Sequence, residues 1–114
     1  MREDLLRAGI ELFNERQFFR CHEVLEEAWT PERGARRIFL QALIHLAVGL
    51  YHWERGNLTG AAGQLRKGLD KLGAYLPACE GIETGKLYED SARALKCIES
   101  GVGEFEFPEI GLAE

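Results

Sequence analysis

The feature that most constrains this chain is the run from Ile38 to Tyr51. Ile38, Phe39, Leu40, Ala42, Leu43, Ile44, Leu46, Ala47, Val48 and Leu50 leave a helix there with almost no polar face. A helix that is apolar nearly all round must be surrounded by other elements. The run covers 14 residues and is interrupted by Gln41 and His45, whereas a bilayer span needs about 20 apolar residues. A membrane partner is therefore not expected. The chain should instead wrap further helices around this segment.

The flanking sequence supplies them. Leu5, Leu6, Ile10 and Phe13 recur at three and four residues and predict a first helix over 3–14. After a break at Asn14 to Gln17, Phe18, Cys21, Val24, Leu25, Ala28 and Trp29 predict a second helix. Thr30 and Pro31 end it, because the residue before proline disfavours the helical region, and Gly34 completes a short loop. The third, central helix runs from about Ala35 to Arg55. Gly56 stops it and Asn57 caps a fourth helix striped with Ala61, Leu65, Leu69 and Leu72. Gly60 and Gly63 weaken that helix intrinsically, which predicts close helix contact at those points. Residues 77–83 form a loop, and Thr84 is placed to cap a fifth helix carrying Leu87, Tyr88, Ala92, Leu95 and Ile98. Residues 104–114 read as an extended tail. Phe105 and Phe107 predict that it docks on the bundle or on a second copy of the chain, making a homo-oligomer. The fold class is all-α, a single domain of five helices.

Composition agrees with one domain and narrows the partners. With 114 residues and 46% hydrophobic content, the chain can build a core without disulfide or metal staples. A net charge of -5 with no basic block excludes nucleic acid as the natural partner, since phosphate neutralisation supplies much of that affinity. Arg36 with Arg37, and Arg66, Lys67 and Lys71, read as solvated helix surface. Cys21, Cys79 and Cys97 are odd in number and widely spaced, which fits reduced thiols rather than a disulfide framework. With Met1-Arg2-Glu3-Asp4 opening the chain in place of an apolar leader, the expected location is cytoplasmic.

One group of polar residues stands out from this apolar plan. His22 and Glu26 lie four apart on the second helix and share a face, with Glu23 as a neighbour of Glu26. The third helix adds Gln41, His45 and His52 near one stripe. The short connection makes the two helices antiparallel, so facing residue numbers should sum to about 64. That sets His22 opposite Ala42, within a turn of Gln41 and His45, and leaves His52 roughly 15 Å further along the axis. The compact set is His22, Glu26, Gln41 and His45, flanked by Glu23 and His52. Such a cluster can bind a divalent metal, or it can satisfy its own hydrogen bonds without a ligand. Trp29, Trp53, Phe18 and Phe19 read as core and rim packing.

Several of these residues also form a pattern. Leu12-Phe13-Asn14, Phe18-Phe19 and His22-Glu23-x-x-Glu26-x-x-Trp29, followed by Phe39-Leu40-Gln41-Ala42-Leu43-Ile44, Tyr51-His52, Arg55-Gly56-Asn57 and Gly60-Ala61, resemble the bacterial and archaeal family called domain of unknown function 309. The resemblance covers roughly residues 5–76. It implies a small helical bundle and carries the label "predicted metal-dependent hydrolase". The family's polar signature maps onto His22, Glu23, Glu26, Gln41 and His52. Many relatives have Gln at the position of His45, which a hydrogen-bonding role tolerates better than a metal-ligand role. Two functional expectations result. In one, His22, Glu26 and either His45 or His52 hold a divalent metal cofactor that acidifies a bound water, and Glu23 accepts the proton. In the other, the cluster is structural and the domain is a non-catalytic protein-interaction module.

Overall fold

The computed structural model describes residues 2–113. Met1, the start of the expected non-leader sequence, and Glu114, the last residue of the expected tail, lie outside the described residues. Five α-helices follow one another: α1 (Arg2–Asn14), α2 (Phe18–Trp29), α3 (Ala35–Glu54), α4 (Leu58–Leu72) and α5 (Thr84–Glu99). A 3-10 turn at Gly73–Tyr75 follows α4, and no strand is present among the described residues. Among the described residues, no helix is long and apolar enough to cross a membrane. Each helix packs chiefly on its neighbours in sequence, with α3 between α2 and α4. The fold is all-α, and Phe39, Leu40, Leu43, Leu46 and Leu50 of α3 are completely buried at its centre.

The helix ends explain the short connections. Beyond α3, Gly56 adopts φ 81. Its N–H donates to Trp53 O at 3.0 Å, and the Asn57 N–H donates to His52 O at 2.9 Å. This pair of bonds caps the orphan carbonyls and reverses the chain. The Asn57 side chain then accepts from Gly60 N–H at 2.9 Å and starts α4, as its position in the sequence suggests. The same double bond closes α1, but there Arg16 takes the left-handed position at φ 61.

Four expectations are corrected. Gly63 has nothing within 4 Å of an added Cβ, and Gly60 meets only the capping Asn57. The close α3–α4 approach lies instead at Gly49, where a Cβ would stand 2.9 Å from Leu65 Cγ and 3.2 Å from Ala61 O, and at Gly68, 2.8 Å from Leu46 Cδ2 and 3.1 Å from Ala42 O. Ile38 is 45% exposed, so the start of α3 is not enclosed. Thr84 does not cap α5. Glu83 occupies the N-cap without a side-chain bond, while the Thr84 hydroxyl donates to Tyr75 O and ties the 3-10 turn to α5.

The tail is extended and docks on its own bundle. The Asn14 carboxamide makes two bonds to the backbone of Ile110, donating to its carbonyl at 3.0 Å and accepting its N–H at 2.7 Å. Ile110 is buried, and an isolated bridge pairs Leu112 with Ile82. Phe105 and Phe107 are half-buried against Trp53, at 4.9 and 5.3 Å between ring centroids, and Phe107 also stacks on Phe18. The Arg16 guanidinium covers Phe107 at 4.3 Å.

Three stability outcomes are expected from this architecture. Gly63→Ala should stabilise the protein by about 1 kcal/mol, the usual penalty of a helical glycine. Gly49→Ala and Gly68→Ala should each destabilise it by about 1–3 kcal/mol through overpacking. Denaturant melts of the three variants check this directly. Deleting residues 104–114 removes the buried Ile110 and uncovers Phe18. It should cost at least about 2 kcal/mol, read as a fall in melting temperature.

Candidate functional site

The candidate site is a groove between α2 and α3 with an aromatic end and a polar end. The aromatic end is a cavity of about 210 Å³ lined by Phe18, Phe19, His22, Val48, Tyr51 and His52. The polar end is a cavity of about 230 Å³ whose polar lining comprises His22, Glu26, Trp29, Gln41, His45 and Gln64, with Ile44 and Val48 as its apolar wall. His22 and Val48 belong to both cavities.

Local helix geometry produces this arrangement. Phe18, Cys21, Leu25 and Ala28 form the buried stripe of α2, which leaves Phe19, His22 and Glu26 at the border of that stripe. On α3, Gln41, His45, Val48 and His52 form the corresponding border, since spacings of three, four and seven stay near one face. The facing register runs further along α3 than equal counting from the loop predicts. Arg37 lies 3.7 Å over the Trp29 ring, and Phe19 stands 5.3 Å from Tyr51. His22 is thereby displaced toward Val48 and shares the aromatic cavity with His52, a residue that equal counting sets well apart from it.

The hydrogen bonds differ from the expected His22–Glu26–Gln41 network. The His22 Nδ1–H donates to Phe19 O at 3.0 Å, within its own helix. Its Nε2 lies 3.5 Å from Glu26 Oε1, an ion pair when the ring is protonated. Gln41 lines the same cavity, but its carboxamide bonds to neither residue and has no side-chain partner among the described residues. His45 is tied instead to α4, its Nδ1–H donating to Gln64 Oε1 at 2.7 Å. Burial holds the pKa of His45 below its ordinary value. The bond to Gln64 opposes this shift, and Lys71 and Lys67 reinforce it.

Gln64 is the site residue that the sequence reading missed. A signal was present: it lies three residues after Ala61 and four before Gly68, both buried on the α4 face that meets α3. Glu23 is exposed and lines neither cavity. Cys21 is buried, donates its thiol to Gly9 O at 3.2 Å and has its pKa pushed up to about 12 by burial, so it is not an available nucleophile.

The metal implied by the sequence resemblance can be tested against these donors. Both Nδ1 atoms are committed to internal acceptors, so each ring offers only Nε2. His52 belongs to the aromatic cavity and Glu23 to neither. Among the described residues, no group of three or more His, Cys, Asp or Glu stands close enough to hold a metal ion. As arranged, these side chains do not form the expected ligand set.

The depressed pKa of His45 gives a signed expectation. The folded state resists protonating a ring that titrates near pH ~6.5 when unfolded. Its contribution to stability is therefore complete above that pH and lost as the pH falls below it. His45→Gln should flatten the decline in melting temperature between about pH 6.5 and 5, measured against the parent protein in matched buffers.

Two comparisons with known proteins cover this part of the chain. The uncharacterized protein YpuF of Bacillus subtilis (strain 168) is 37% identical over 84 residues, covering 70% of this chain and 48% of YpuF. The chain thus spans about half the length of that relative. A family profile described as "Domain of unknown function (DUF309)" matches residues 6–64, which include α2, α3, and every side chain lining the two cavities. The chain is a member of the DUF309 family.

Proposed function

We propose that this domain is a non-catalytic binding module and that the α2–α3 groove is its recognition surface. One observation carries the reading: an aromatic cavity and a polar cavity adjoin through His22 and Val48. Preformed concave sites with mostly apolar walls and a few fixed polar groups are the usual form of recognition pockets. Here the polar groups are oriented in advance, because Phe19 O and Gln64 Oε1 hold the two imidazoles. Phe19, 48% exposed, offers an aromatic face at the open edge.

The family's hydrolase label requires a different arrangement. His22, Glu26 and a second histidine would have to converge on one ion, with Glu23 reaching the bound water. Glu23 lies outside both cavities, and His45 is directed by its bond to α4.

The two readings separate in a metal experiment on protein purified without a histidine tag. The binding-module reading predicts substoichiometric metal and no saturable rise in melting temperature with zinc, manganese or nickel. One tightly bound ion per chain, lost in His22→Ala, would contradict it.

A further inference from the structure

We infer that the α2–α3 groove recognises a primary ammonium group on an apolar stem, with the ammonium between Glu26 and His22 and the stem across the Phe19–Tyr51 cup. This inference rests on the reading of the groove as a recognition surface and names the chemistry that surface selects.

Hydrogen-bond polarity is the first argument. The rings of His22 and His45 both donate from Nδ1, to Phe19 O and to Gln64 Oε1. A neutral imidazole that donates from one nitrogen accepts at the other. With a neutral ring, His22 Nε2 and Glu26 Oε1 are two acceptors facing each other at 3.5 Å with no donor between them. His45 adds a further Nε2 acceptor to the same cavity, and the Gln41 carboxamide oxygen accepts from no described residue. The buried Trp29 Nε1–H has no partner, but less than 1 Å² of that atom is accessible, so it offers a ligand nothing in this arrangement. An ammonium supplies three donors and no acceptor, which complements the acceptor pair on the α2 side, His22 Nε2 and Glu26 Oε1. The amide N–H groups of Gln41 and Gln64 are donors on the α3–α4 side of the cavity and leave that side less favourable to a cation. Hydrogen bonds to a charged partner are also the stronger kind.

Charge and shape place the group within the groove. Glu26 is the carboxylate lining the polar cavity, while Lys67 and Lys71 act on His45 from α4. A cation is therefore favoured on the α2 side, beside Glu26 and His22, rather than deep against α4. From that point the aromatic cavity extends past the Phe19 ring, 5.2 Å from His22 and 5.3 Å from Tyr51. Aromatic faces accept an alkyl or aryl stem and attract the cationic end that it carries.

The test titrates the full chain and follows the ring signals of His22 and His45 by NMR. The probes are phenethylamine and Nα-acetyl-lysine methylamide. Their uncharged counterparts are 2-phenylethanol and Nα-acetyl-norleucine methylamide. Both ammonium probes should shift the two histidines saturably and bind at least about tenfold more tightly than their counterparts. Glu26→Gln should remove that margin. Glu26 is 51% exposed, so the variant should still fold. Glu27→Gln, exposed and outside both cavities, should keep the margin. Tighter binding of the lysine probe identifies a partner's side chain as the source of the ammonium, and tighter binding of phenethylamine identifies a free amine. Equal binding of charged and uncharged probes, a margin that survives Glu26→Gln, or no saturable shift overturns the inference. Each of these results leaves the wider recognition reading standing, which fails instead if the chain holds a stoichiometric metal.

Discussion

The close seam between α3 and α4 governs the rest of the structure. At Gly49 and Gly68 neither helix has a side chain to hold the other away, so Leu65 and Leu46 lie directly over the opposing backbone. That contact encloses one side of the apolar α3. It also brings Gln64 within reach of His45, which fixes the imidazole as part of a wall rather than leaving it a free side chain. On the opposite side, where α3 meets α2, Arg37 lies over the Trp29 ring and Phe19 stands beside Tyr51. The borders of the two buried stripes remain apart there, and the groove occupies the space between them. Tight packing on one flank and a partly open flank on the other account for both the stability of α3 and the position of the cavities.

Much of this fold was legible because it depends on periodicity and on local chain reversals. The apolar surround of Leu43 and Leu46 required a central helix, and Asn57 after Gly56 marked a turn whose hydrogen bonds need only neighbouring residues. The two phenylalanines of the tail required cover and found it on Trp53 and Phe18. What was illegible depended on which residues face each other across a gap. Gly60 and Gly63 looked like contact glycines because they interrupt a helix, but contact is set by rotation and register, which select Gly49 and Gly68. Arg16 gave no sign of its left-handed backbone, since glycine is the residue that usually announces one.

The candidate site shows the same division. Spacing alone grouped His22 with Glu26 and aligned Gln41 with His45, and all four line one cavity. Hydrogen-bond partners could not be read the same way. Equal counting from the Thr30–Gly34 loop misplaced the α2–α3 register, so Gln41 was paired with His22 when the two are not bonded. Gln64 is hidden from an α2–α3 pattern because it comes from α4, the third helix that closes the cavity. His52 likewise belongs to the aromatic end, where its ring lies near Tyr51.

The chemistry of the groove depends on the orientation of two imidazoles, tied inward through Nδ1 and presenting Nε2 as an acceptor. Nitrogen-15 chemical shifts of the His22 and His45 rings, measured with both rings neutral, test this most directly. Both rings should show a protonated Nδ1 and a lone pair on Nε2. A proton on Nε2 in either neutral ring would turn a donor toward the cavity and contradict the account.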